Sequence, residues 1–289
     1  MLLLSSSSKP VYAVRLGDPR MDVQPNRTKQ FMGNWLVAHH NTVSSFLPDR
    51  YAPYRFAGGR IYLNLKESPM MLARALGCYE TAKMAAVKRF VKLGGVFIDV
   101  GGNKGDFALL AAMLTGKEGK VACFEPEPSN CHWIKQSITL NGYQNVALEQ
   151  AALSNYNGTA ELNIGRNSGE HTLLPDQPGR NFSRITVRAA TLDSILESLS
   201  ITKVDVMKVD VEGAEMSVLE GARATLLANP QIVLLIDIHP FLGVDPAQIC
   251  AFLSKLGFSL YSMTPPFDKP IDKPTNLQEL LAYRKPSGV

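Results

Sequence analysis

"VFIDVGGNKGDFALLAA", residues 96–112, carries an apolar run to an acid, sets three glycines within five positions, and turns at once into a second apolar run. The first run has the length and β-branched content of a buried strand, and "DFALLAAML" has the length of a helix. Outward from this bend the chain keeps alternating. "KVACFEP" reads as a strand and "SNCHWIKQSITLN" as a helix stopped at Asn141-Gly142. "NVALEQAAL" is a strand, "TLDSILESL" a short helix, "VDVMKVDV" a strand, "AEMSVLEGARATLL" a helix and "QIVLLIDI" a strand. Asp245-Pro246 opens one more helix, closed by Gly257. Strands separated by helices require parallel pairing with right-handed crossovers, so the fold class is α/β, a doubly wound sheet. The last two strand-like pieces, "FSLYSMT" and "ELLAYRK", have no helix between them, so at least one should run antiparallel.

The regions flanking this core read differently. Residues 1–57 are rich in Pro, Arg and turn formers and are expected to form an N-terminal extension, with one domain over 58–289. "GGRIYLNLKES" alternates like a strand, and Met84, Val87, Phe90 and Val91 have helical spacing up to Gly94. The polar stretch "NIGRNSGEHTLLPDQPGRNFSR", residues 163–184, breaks the rhythm and reads as an excursion between two added strands.

At 289 residues, 45% hydrophobic and 19% charged, the chain has the composition of a globular protein with a real core. A net charge of +4 is too small to argue for a nucleic-acid partner, and none is expected, although residues 1–60 hold eight Lys/Arg against three Asp/Glu. "MLLLSSSSKP" is too short for the apolar core of a signal peptide, and no stretch approaches a membrane span, so no membrane partner and a cytoplasmic location are expected. Cys78, Cys123, Cys131 and Cys250 are scattered, without CxxC or metal-ligand spacing, and read as buried thiols.

A glycine-rich bend after the first strand of such a sheet lies at the carboxyl edge, where ligands bind. Gly101 and Gly105 let backbone approach a ligand, and the helix start beyond offers N–H groups to an anion. Glu125 ends the next strand, twenty positions past Gly105, where an acid can take both hydroxyls of a ribose. Asp99 before the bend suits a cationic or amino-bearing ligand better than a pyrophosphate. G-x-G-x-x-G is absent, which weighs against a nicotinamide-dependent oxidoreductase. One ribose, one carboxylate and one ammonium are the groups of S-adenosylmethionine.

The quoted stretch resembles the first motif of seven-stranded S-adenosylmethionine-dependent methyltransferases, and D-x-G-x-N-x-G is the form of the FkbM-type family. "GCYE", "CFEPEPSN", "AALSNYNGTAEL", "TLDSIL", "MKVDVEGAEMSVLEGA" and "IDIHP" fall in that family's order, so the likeness spans roughly residues 60–285. Lys104 departs from it, standing where the family usually has an apolar residue. The resemblance implies a seven-stranded Rossmann-like sheet with a reversed last strand. It also implies Asp99, Gly101, Asn103 and Gly105 around the methionine part of the cofactor, Glu125 on the ribose, and Ala152 and Ser154 by the adenine.

Methyl transfer from a sulfonium needs alignment and a group to remove a hydroxyl proton. Asp210, Glu212 and Glu215 cluster in "KVDVEGAE", and His239 emerges where the fifth strand leaves the sheet. Asp210, Glu212 and His239 are the catalytic candidates. Glu215 reads equally as a helix-start acid favoured by the dipole. His171 in the excursion reads first as a loop residue, and His39-His40 has no assigned role. No metal is expected, because no H-x-x-x-H or comparable spacing occurs. The sequence therefore points to an O-methyltransferase acting on a hydroxyl of a small molecule, a sugar or secondary metabolite. The alternatives are the oxidoreductase and a non-catalytic binding module on the same fold.

Overall fold

A computed structural model describes residues 27–165, 168–174, 183–275 and 277–284. Helices α1 (Arg27–Ala38) and α2 (His40–Val43) lead into a hairpin of β1 (Ala52–Phe56) and β2 (Gly59–Leu63), then α3 (Pro69–Leu76) and α4 (Thr81–Phe90). The alternating core follows as β3 (Val96–Val100), α5 (Asp106–Thr115), β4 (Lys120–Phe124), α6 (Pro128–Asn141) and β5 (Val146–Glu149). Next come β6 (Ala152–Leu153), β7 (Gly158–Ile164), β8 (Ser183–Ala190) and α7 (Leu192–Ser198). The chain continues through β9 (Val206–Val209), α8 (Glu215–Gly221), α9 (Arg223–Ala228), β10 (Val233–Asp237), α10 (Pro246–Lys255), β11 (Ser259–Tyr261) and β12 (Glu279–Tyr283).

Seven strands form one sheet in the order β11-β12-β10-β9-β3-β4-β5. β10, β9, β3, β4 and β5 are mutually parallel, whereas β12 runs antiparallel to both β10 and β11. Alternation along the strands divides the core into two layers. Phe97, Val121 and Cys123 pack on the side of α4 and α5, and Ile98, Val100, Met207 and Val209 on the side of α7, α8 and α10. Helix α5 is apolar all round, and it is buried along nearly its whole length. Each fully buried Leu, Ile or Phe in these layers contributes about 1.5–3 kcal/mol of transfer free energy.

Three local features differ from the sequence expectation. "NVALEQAAL" is split between two sheets: β5 joins the main sheet, while β6 pairs with β8 in a three-stranded sheet that also holds β7. "AEMSVLEGARATLL" is two helices, interrupted at Ala222. Before residue 58 the chain holds α1, α2 and β1, and β1 pairs in register with β2, from Ala52 opposite Leu63 to Phe56 opposite Gly59. Among the described residues, no helix is long and apolar enough to cross a membrane. Cys123, Cys131 and Cys250 are buried free thiols, and Cys78 is half-buried.

Candidate active site

The carboxyl ends of β3, β4, β9 and β10 open into a cavity of about 230 Å³. At its floor the β3 and β9 ends nearly touch. A Cβ on Gly101, whose φ is +79°, would lie 1.9 Å from the Asp210 carbonyl oxygen, so only glycine lets the two ends meet. Glu80, Asn103 and Glu212, none of them glycine, also hold φ between +42° and +51°, and all three border the cavity. Such conformations persist only where surrounding structure imposes them, and they cluster at ligand sites.

One half of the cavity is bounded by Glu125. Its Oε2 accepts the Asn103 N–H at 2.7 Å, and its Oε1 accepts the Glu127 N–H at 3.0 Å and Asn130 Nδ2 at 3.3 Å. Burial pushes its carboxyl up to about 7 in spite of these donors. Phe124, Ala151, Ala152 and Leu153 add apolar wall beside it. Behind Glu125, Asn130 Oδ1 accepts from Lys104 Nζ at 3.0 Å, and that ammonium also reaches Glu67 at 2.9 Å and Tyr51 Oη at 2.8 Å. The Tyr51 ring stacks on Trp133 at 4.0 Å. Lys104 is therefore buried and paired, and it ties the N-terminal hairpin region to the wall of the cavity.

The other half is acidic. Glu215, wholly buried at the start of α8, accepts from His239 Nδ1 at 2.5 Å and from the Gly213 N–H at 3.0 Å. The opposite ring nitrogen, Nε2, then faces Glu212 at 3.5 Å and Asp210 at 3.8 Å. Burial opposes a charged imidazole, yet the Glu215 hydrogen bond and the Glu212 carboxylate raise His239 to about 9. Glu212 is itself raised to about 7, chiefly by burial.

Two buried ammonium groups sit beneath this cluster. Lys208 pairs with Asp99 at 3.3 Å and Asp210 at 3.7 Å and donates to the Gly101 carbonyl at 2.6 Å. Asp99 and Lys208 are direct partners across β3 and β9, which explains their mutual burial. Lys83 from α4 pairs with Asp237, with Glu80 at 2.8 Å and with Asp210 at 3.9 Å. Burial alone would raise the Asp210 carboxyl, but Lys208 and Lys83 outweigh it and hold Asp210 well below the usual carboxylate range. Burial lifts Asp99 to about 6 against the pull of Lys208.

Two triplets bring ligand atoms within 4.8 Å of one another: Asp210, Glu212 and His239, and Glu80, Asp210 and Asp237. Lys83 already supplies a cation to all three members of the second triplet.

The structure thus gathers Gly101, Asn103, Glu125, Ala152, Asp210, Glu212 and His239 around one cavity. Asp99, Gly105 and Ser154 stand behind it. Asp99 is fully buried under Lys208, Gly105 caps α5 against Ile134, and the Ser154 N–H pairs with the Ala190 carbonyl. Glu212 precedes α8, which begins at Glu215. From the excursion, Ser168, Gly169, His171 and Thr172 border the cavity; its residues 166–167 and 175–182 lie outside the described set. Sequence reading missed Arg74, Lys83, Lys208 and Asp237. The signal for two of them was a charged residue inside an apolar strand, in "VMKV" and "VLLID".

The FkbM methyltransferase domain matches residues 99–260. Methyltransferase sdnD of Sordaria araneosa is 26% identical over 212 residues, covering 63% of this chain and 78% of that protein. Hexuronic acid methyltransferase AglP of Haloferax volcanii is 27% identical over 164 residues, covering 57% of this chain and 63% of that protein. Among solved structures, methyltransferase FkbM from Methylobacillus flagellatus aligns with 87% of this chain and 60% of its own, at 13% identity and a TM-score of 0.43. With its cavity-forming strand ends inside the matched segment, the chain belongs to the FkbM methyltransferase family.

Proposed function

We propose that this protein is an S-adenosylmethionine-dependent O-methyltransferase whose acceptor is a hydroxyl of a small molecule. The observation that carries the reading is the placement of His239, fixed by Glu215 and flanked by Asp210 and Glu212, across one cavity from the Gly101–Asn103 loop and Glu125. The residues fit the cofactor. A buried acid beyond β4 suits ribose hydroxyls, the apolar wall of Phe124 and Ala151–Leu153 suits a flat base, and the acidic half suits a sulfonium cation. When bound, the cofactor supplies a methyl group on a sulfur that leaves as a neutral thioether.

The chain's own residues then have three tasks. Glu125 accepts hydrogen bonds from the ribose. Asp210 and Glu212 place negative charge beside the reacting cation, with Asp210 kept ionised by Lys208 and Lys83. His239 Nε2 would take the proton of the acceptor's hydroxyl, and Glu215 would stabilise the resulting imidazolium. Because Asp210 already has two ammonium partners, this route calls for no metal. The acceptor is taken as a small molecule rather than nucleic acid or membrane, and the Haloferax relative's name makes uronic acids and other sugars the first to screen.

The test is methyl transfer from labelled S-adenosylmethionine to a sugar panel, for wild type and His239→Asn. Transfer by wild type, a loss of about 100-fold or more in the variant, and unchanged S-adenosylhomocysteine affinity are expected. Wild-type turnover should rise with pH toward about 9, where the imidazole becomes neutral. Cofactor binding without transfer to any acceptor would favour a non-catalytic module, and binding of NAD alone would sink the reading.

A further inference from the structure

Arg74, in the last turn of α3, is only 3% exposed, yet most of its donors have little to bind. A guanidinium carries five N–H donors, and leaving buried charged donors unmet is strongly unfavourable. Here Nε donates to Asp106 Oδ1 at 3.0 Å. Nη2 makes a marginal 3.5 Å contact with Asn103 Oδ1, and Nη1 has no partner among the described residues. The group is held in place, since its carbon lies 3.7 Å above the Tyr79 ring. Arg74, Tyr79, Asn103 and Asp106 all border the cavity.

The planar fork of an arginine matches a planar oxyanion. A dianionic phosphate fits poorly in a wall that also carries Glu80, Asp106, Asp210 and Asp237. A carboxylate accompanied by an ammonium adds no net charge and gives the acids a cation of their own. We propose that Arg74 binds the carboxylate of an amino-acid group at the β3–α5 end of the cavity, the methionine end of the cofactor. This rests on the S-adenosylmethionine reading above. The contacts with Asn103, in the loop that follows β3, and with Asp106, the first residue of α5, favour the cofactor over the acceptor as its source.

The experiment compares wild type, Arg74→Lys, Arg74→Met and the double variant Arg74→Met/Asp106→Asn, which leaves no lone buried charge. Each is titrated calorimetrically with S-adenosylhomocysteine and with 5′-methylthioadenosine, which lacks the amino-acid group, after circular dichroism shows it folded. Both Met variants should bind S-adenosylhomocysteine about 10- to 100-fold more weakly, with 5′-methylthioadenosine within about twofold of wild type and Arg74→Lys in between. If the Met variants keep full affinity for both nucleosides but lose glucuronate bound by wild type, Arg74 serves the acceptor's carboxylate and its assignment to the amino-acid group is overturned. Equal weakening toward both nucleosides, or no change toward any of the three ligands, overturns the proposal. Failure of wild type to bind S-adenosylhomocysteine would instead overturn the cofactor reading.

Discussion

Glu125 reaches its proton-binding range near neutrality because burial outweighs the three donors that point at it. In the proposed cofactor site a ribose hydroxyl would donate to the carboxylate, so the ionised form would be the binding form. S-adenosylhomocysteine affinity should therefore increase as pH rises through about 7, and titrations at several pH values would show it. In Glu125→Gln this dependence should vanish and affinity fall by about tenfold, the worth of a hydrogen bond to a charged group. The Glu127 carboxylate adds to the rise that burial causes. Glu125 was legible in the sequence because its distance from the glycine bend is fixed by one helix and one strand. Arg74, which lines the cavity, and Lys83, which pairs with its acids, were not, because each comes from a helix outside the matched motif, and helix spacing alone does not say which polar residue turns inward.

Helix α4, packed on the sheet through Ala85, Ala86 and Val87, also sends the buried ammonium of Lys83 toward Glu80, Asp210 and Asp237. Burial disfavours the charge, but Asp210, Asp237 and Glu80 together raise Lys83 above its ordinary value. Lys83→Met would leave Glu80 and Asp237 without their ammonium partner and Asp210 dependent on Lys208, and loss of about 3 kcal/mol of stability is expected in denaturant melts. A loss below about 1 kcal/mol would show that water reaches these acids. At this scale much was written in the chain. Apolar runs bounded by glycine gave β3, α5, β4 and α6, with Gly142 in the left-handed conformation that ends α6. The division between β5 and β6 was hidden because it falls at Glu149-Gln150, with no glycine or proline to mark a break. Helix α1 was hidden for the opposite reason. Phe31 and Trp35 are 73% and 52% exposed, so no buried stripe marks its period.

Across the whole molecule, the N-terminal segment and the cavity are joined by a chain of polar contacts from Tyr51 and Glu67 through Lys104 and Asn130 to Glu125. A protein beginning at residue 58 would lack β1 and Tyr51 and leave β2 without its partner. It is expected to melt several degrees lower, by about 4 °C or more, and to bind S-adenosylhomocysteine more weakly. An unchanged melt in scanning calorimetry would make residues 1–57 a mere appendage. The sheet order has a consequence of its own. β10, which delivers Asp237 and His239, becomes an interior strand only when β12, some forty residues further along, slides in beside it and the Gln278 carbonyl receives the Ile238 N–H. During synthesis the strand that leads to His239 therefore waits with a bare apolar edge, Val233 to Ile236, open to other chains. The last step of making this sheet and the last step of building its acidic wall are the same event, and a ribosome pausing before residue 279 would release neither.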